Sequence, residues 1–104
     1  MGKSVTYEEF VENLNTKFRT SVDAASADGP SMVELDLAEV SEVKLSPNQE
    51  QFAVVFRGPR DLFLGQGTRS LEHDTLGQAD LFLVPVREDA EGYYYEAVFN
   101  RFRK

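Results

Sequence analysis

MVELDLAEVSEVKL, residues 32–45, is the stretch on which the fold turns. Val33, Leu35 and Leu37 alternate with acidic residues, the period-two pattern of a strand with one buried face. Helix is the rival reading, because Val33, Leu37 and Val40 also fit helical spacing. Past Leu37 the parity breaks, since the next apolar residues are Val40 and Val43. A bulge near Ala38 and Glu39 restores it, and a strand over about 31–40 is the preferred reading.

Upstream, Phe18, Thr20 and Val22 alternate with Lys17, Arg19 and Ser21, which gives a strand over about 17–23. DAASADGP, residues 23–30, supplies the small residues, Gly29 and Pro30 of a flexible hairpin turn. Ahead of both strands, VTYEEFVENL reads as a helix over about 7–14. Thr6 caps it, Glu9 three residues later reaches back to the Thr6 N–H, and Val5 with Phe10 forms a hydrophobic staple. Tyr7, Phe10, Val11 and Leu14 then share one face, with Glu8, Glu9 and Glu12 outward near the positive end of the helix dipole.

Downstream, QFAVVFR (51–57) is apolar on both faces and belongs inside the sheet. Strands follow at about 68–73, 79–87 and 92–102, separated by the turns DTLG and EDAEG. Pro85 cannot donate to a ladder, so it belongs at an edge, a bulge or a strand end. The pattern predicts a mainly β single domain spanning 1–104. About six antiparallel strands curl into a small barrel, roll or sandwich, plugged or flanked by one N-terminal helix.

A chain of 104 residues suits one core, and a hydrophobic share of 41% with 12% aromatics is too rich for a disordered protein. With no cysteine, disulfide scaffolds, zinc ribbons and thiol nucleophiles are excluded. That composition suits a reducing cytoplasm. MGKSVTYEEF lacks the apolar core of a signal peptide and no run has the length of a membrane span, so a soluble, unexported protein with no membrane partner is expected. Residues 1–50 carry ten acids against four bases, and residues 51–104 eight against seven, so the acidic excess sits in the first half. Nucleic acid is an unsuitable partner, because the one local basic excess is Arg101, Arg103 and Lys104 at the tail, read as a solvated end.

FRGPRDLFLGQGTRSLEH, residues 56–73, gathers most of the residues with chemistry to offer. Gly65-Gln66-Gly67 is not a dinucleotide loop, because Ser70 stands where the third glycine belongs and a strand follows in place of a helix. Two tight turns explain the glycines. His73 is the best single candidate for acid–base work, with Glu72 and Asp74 adjoining. On a strand, however, neighbours point to opposite faces, so neither carboxylate can readily orient its ring or share a metal with it. The alternative is a histidine whose ring pins a strand end by hydrogen bonding. Arg57, Arg60 and Arg69 cluster only if the strands that carry them are neighbours; they then bind an acidic partner or an anion, or else pair with Asp61, Glu72 and Asp80. Tyr93, Tyr94 and Tyr95 must divide between two faces, which leaves at least one tyrosine outside the core. An exposed tyrosine beside Phe63 or Leu64 would suit a protein interface.

Five blocks carry a resemblance: FRGP at Phe56–Pro59, L-x-QGT at Leu64–Thr68, LEH-x-x-LG at Leu71–Gly77, LFLVPV at Leu81–Val86 and YEAVFN at Tyr95–Asn100. In order and spacing they resemble an uncharacterised family of bacterial domains about 100 residues long, catalogued as a domain of unknown function. The N-terminal half is similar only in style. Where members carry a tyrosine after QGT, this chain has Arg69. The resemblance implies a compact β domain with no catalytic residues to carry over. Because members are often encoded near short fibre proteins like phage tail collars, it also implies work in a tail-like assembly.

The expected function is therefore a non-enzymatic structural or protein-interaction module without a cofactor or metal. It would act in the cytoplasm or in a phage-like particle, with a fibre-like protein partner or a second copy of itself. Arg57, Arg60, Phe63, Arg69, His73 and Tyr94 are its candidate interface residues. A small-ligand-binding barrel is the alternative, although eight phenylalanines argue for a filled interior. A hydrolase or metal enzyme centred on His73 is the third reading.

Overall fold

The stretch 32–45 is not a helix. In the computed structural model, which describes residues 5–22 and 31–102, strand β2 spans Ser31–Val40 with Val33, Leu35 and Leu37 buried. Its register against β4 slips between Leu37 and Glu39, so the bulge lies where the apolar parity breaks. The other strands are β1 (Lys17–Val22), β3 (Lys44–Ser46), β4 (Gln49–Gly58), β5 (Gly67–His73), β6 (Gly77–Asp89) and β7 (Gly92–Phe102).

All pairings are antiparallel, in the order β2-β1-β5-β6-β7-β4-β3, and β2 also pairs with β4. That last pairing closes six strands into a barrel and leaves β3 as an extra strand on β4. Seven strands stand where six were expected. Strand β3 escapes sequence reading because it has three residues, all exposed, and so no alternation of burial. The turn at Pro47 and Asn48 that folds it onto β4 was its one available signal.

The barrel is filled from within. Phe18, Leu35, Leu37, Val54, Phe56, Leu71, Leu83 and Tyr95 have almost no exposed surface. Pro85 sits at a second bulge, between Pro85 and Arg87 on β6, where its missing N–H costs no ladder bond. The β6–β7 turn needs glycine at 92, because a Cβ there would lie 2.0 Å from the Gly58 carbonyl oxygen.

Helix α1 (Tyr7–Glu12) is capped as the sequence predicts: Glu9 N–H donates to Thr6 Oγ1 at 3.1 Å and Thr6 N–H to Glu9 Oε1 at 3.0 Å. It ends earlier than residue 14. The chain reverses at 13–15, with Asn15 at φ 69°, to enter β1, and Val11 and Leu14 are left exposed. Phe10 alone is fully buried on the helix, among Phe52 and Phe99, with Tyr7 edge-on to Phe52. The helix closes the mouth of the barrel at which β1 begins.

The opposite mouth is crossed by residues 59–66. This strap joins β4 to β5, which lie three strands apart either way round the ring, so the chain must span the whole opening. Leu64 turns in and is buried, and its N–H donates to the Tyr95 hydroxyl at 2.8 Å. The hairpin turn assigned to DAASADGP, residue 23 of the first strand and the tail Arg103-Lys104 lie outside the described residues.

Candidate functional site

His73 ends β5 and is buried, with 7% of its surface exposed. Its Nδ1 accepts from the N–H groups of Thr75 (3.0 Å) and Leu76 (3.1 Å), so the proton resides on Nε2. Nε2 lies 2.8 Å from Thr16 Oγ1, which donates onward to the Asn13 carbonyl. The ring also packs on Phe18, with centroids 4.5 Å apart. Burial holds its pKa below the ordinary histidine value; Asp74 opposes that and Arg19 adds to it. Protonation would turn Nδ1 into a donor facing two other donors. The ring thus ties the β5–β6 turn, where Gly77 has φ +79°, to the segment leaving α1. Asp74 turns outward to Arg19 at 2.7 Å, away from any role in orienting the ring. Among the described residues, no group of three or more His, Asp or Glu side chains converges on a metal position.

The three arginines are not brought together. Strands β4 and β5 are not neighbours, which removes the condition on which clustering depended. Arg57, on the outer face of β4, donates to Asp36 Oδ2 at 3.0 Å and lies 3.5 Å from Glu91, not beside Asp61, Glu72 or Asp80. Arg69 contacts the Gly65 carbonyl at 3.4 Å, and its Nε is buried without a partner. Arg60 is exposed on the strap. Arg60 and Arg69 have no carboxylate partner among the described residues.

Tyr94 corrects the expectation of an exposed tyrosine. It does face outward, between the inward Tyr93 and Tyr95, but only 5% of its surface is exposed. Arg87 lies 4.2 Å above its ring, and its hydroxyl donates to Asp89 at 2.9 Å. That hydrogen bond holds the Tyr94 hydroxyl above its ordinary pKa. Phe63 is exposed, 54% open, with its ring edge-on to Tyr93 at 5.0 Å. Leu64 is buried and unavailable to a partner.

These outward groups form a belt across the sheet that period-two reading did not reveal. Lys17 bonds Asp36 at 2.8 Å, Asp36 bonds Arg57, Arg57 meets Glu91, and Arg87 pairs with Glu39. Burial alone would raise the Asp36 pKa, but the hydrogen bonds from Lys17 and Arg57 outweigh it and hold the carboxyl below its usual value. The signal was present in the residues paired across strands (Lys17↔Asp36 and Asp36↔Arg57), which only the register reveals.

Beside the belt, an open groove of about 840 Å3 separates β2 from the strap. Met32, Glu34, Pro59, Asp61, Leu62 and Glu91 are among the residues that line it. The groove exists because β4 stops short. Asp36 pairs with Arg57, so continuing that register would set Glu34 opposite Pro59, which has no N–H to give. The chain leaves the sheet there, and β2 runs on to Ser31 with β1 on one side and, among the described residues, no strand on the other.

No curated protein and no solved structure matched the chain. A family model does match it over residues 5–99, covering the helix, the strap and all but the last residues of β7. The chain therefore belongs to the family described as Domain of unknown function (DUF6916).

Proposed function

We propose that this domain is a non-enzymatic protein-interaction module with a structural role in a larger assembly, and that the assembly is a phage-tail-like fibre system. The supporting observation is a barrel whose centre is occupied while its edge is left open. Phe18, Leu35, Phe56, Leu71, Leu83 and Tyr95 fill the volume that a ligand-binding barrel would keep empty. Both nitrogens of His73 are engaged in holding turns, which leaves it without a free group for acid–base work. The tail-like setting rests on the five-block resemblance.

On this reading the partner is a protein, neither nucleic acid nor membrane, and the domain works in the cytoplasm or within a phage-like particle. Affinity purification from the native host at mild salt, with its genomic neighbours present, tests it. A fibre-like partner co-purifying in fixed ratio is the expected result, with self-association as the lesser form. An inert monomer that captures nothing overturns the proposal.

A further inference from the structure

The geometry points to β-strand addition as the binding mode: an extended, basic segment of the partner protein pairs with the open edge of β2 at Met32 and Glu34, inside the groove. This inference rests on the protein-interaction reading and specifies its site.

The backbone directions follow from one hydrogen bond. Leu37 N–H donates to the Thr16 carbonyl at 3.0 Å, so Leu37 faces β1. Backbone groups alternate along a strand, so Leu35 and Val33 also face β1 while Asp36, Glu34 and Met32 face away from it. Asp36 meets Arg57 on that far side, but Glu34 and Met32 lie past the end of β4. Their N–H and C=O groups line the groove as a short pairing template, the feature that strand addition uses. Five residues, 31–35, span roughly 16 Å at about 3.3 Å each, enough for a short strand.

Charge selects the occupant. The cations that line the groove are already engaged, Lys17 and Arg57 by Asp36 and Arg19 by Asp74, and the exposed Arg60 of the strap is not among the lining residues. Glu34 and Asp61 form no ion pair among the described residues, and Glu91 is held only at 3.5 Å. The residual field is negative and favours lysine or arginine on the incoming strand. Met32, 53% exposed, and the half-buried Leu62 offer apolar contact between those charges. A second copy of this chain suits the site poorly. A two-fold pairing of β2 edges would set Glu34 and Asp61 of one copy against the same acids of the other, and each strap against its counterpart.

The test titrates the 15N-labelled full chain with a capped synthetic octapeptide of alternating valine and lysine. Saturable shifts at the Met32 and Glu34 amides, with exchange there slowed at least tenfold, are expected. A valine–glutamate peptide, or the valine–lysine peptide N-methylated at alternate residues, should bind at least tenfold more weakly. E34P removes the edge donor without touching the β1 ladder and should abolish binding. The charge-reversed double variant E34K/D61K should weaken binding at least tenfold, and it serves if E34P fails to fold. Indifference to N-methylation, saturation at Phe82 and Val98 instead, or no saturable shift in the groove overturns the inference. Baits separate the two levels: if wild type and a folded edge variant capture the native partner equally, the edge inference fails and the interaction reading stands. If wild type captures nothing, the interaction reading fails, while the titration still decides whether the edge accepts a strand.

Discussion

At the mouth where β1 begins, the closing element is a capped helix that delivers one large side chain, Phe10, into contact with Phe52 and Phe99. At the opposite mouth it is the irregular strap 59–66, which places Leu64 inside and is tied there by a single backbone donation to the Tyr95 hydroxyl. The first closure depends on apolar area, the second on one buried polar contact and the geometry of a crossing. The two should therefore fail differently. The groove belongs to the second, opening where β4 gives out at Gly58.

Phe10→Ala should produce the largest loss, about 3–5 kcal/mol, because it removes a fully buried ring and leaves a cavity that Phe52 and Phe99 cannot readily fill. Urea unfolding measures it. Amide exchange should rise around α1 while the strap keeps its protection. Tyr95→Phe should cost less, about 1–3 kcal/mol, since the ring stays and the buried Leu64 N–H loses its acceptor. Exchange should then accelerate at Leu64 first. If the tyrosine change were as costly as the phenylalanine change, the contrast between area-driven and bond-driven closure would be wrong. Thr6→Ala sharpens the first half. Losing the capping acceptor for Glu9 N–H should cost about 0.5–2 kcal/mol and fray α1, with no effect on the strap.

The helix mouth was legible in the residues and the strap mouth only partly so, for a physical reason. A capping box and a period of 3.6 are local patterns, so Thr6, Glu9 and Phe10 announce themselves within one turn. Val33, Leu35 and Leu37 likewise reveal a strand, and the break in their parity reveals the Leu37/Glu39 bulge. Barrel closure depends on β2 pairing with both β1 and β4, and nothing in either strand alone specifies that. The candidate site shows the same division. A Gly-Pro pair stands where β4 ends, but that the continued register sets Pro59 opposite Glu34 follows only from the strand pairing. Arg57, chosen as a local cation, meets Asp36 and Glu91, residues 21 and 34 positions away. Alternation divides Tyr93, Tyr94 and Tyr95 between two faces, yet the Arg87 that covers Tyr94 arrives through the β6 bulge.

Acid should separate the two mouths. His73 binds the segment leaving α1 to the β5–β6 turn, and its folded pKa lies below the ordinary value of about 6.5 because it is buried. The unfolded chain therefore takes up the proton more readily, and this contribution is fully present above about pH 6.5 and declines as pH falls toward the folded pKa. In the outward belt, where Asp89 is also held low by the Glu91 N–H, the carboxyl to follow is Asp36, whose hydrogen bonds from Lys17 and Arg57 overcome the effect of burial. Its contribution is present above the ordinary aspartate value, about 3.9, and disappears only as pH falls through the lower folded one. Between pH 7 and 5, amide protection should drop at Thr75 and Leu76 before it drops at Leu64. The effect is small near neutrality and grows downward. His73→Asn should flatten it, because an asparagine side-chain oxygen can still accept from the Thr75 and Leu76 N–H groups yet does not titrate. A variant that kept the full slope between pH 7 and 5 would transfer the acid response to the belt of carboxylates.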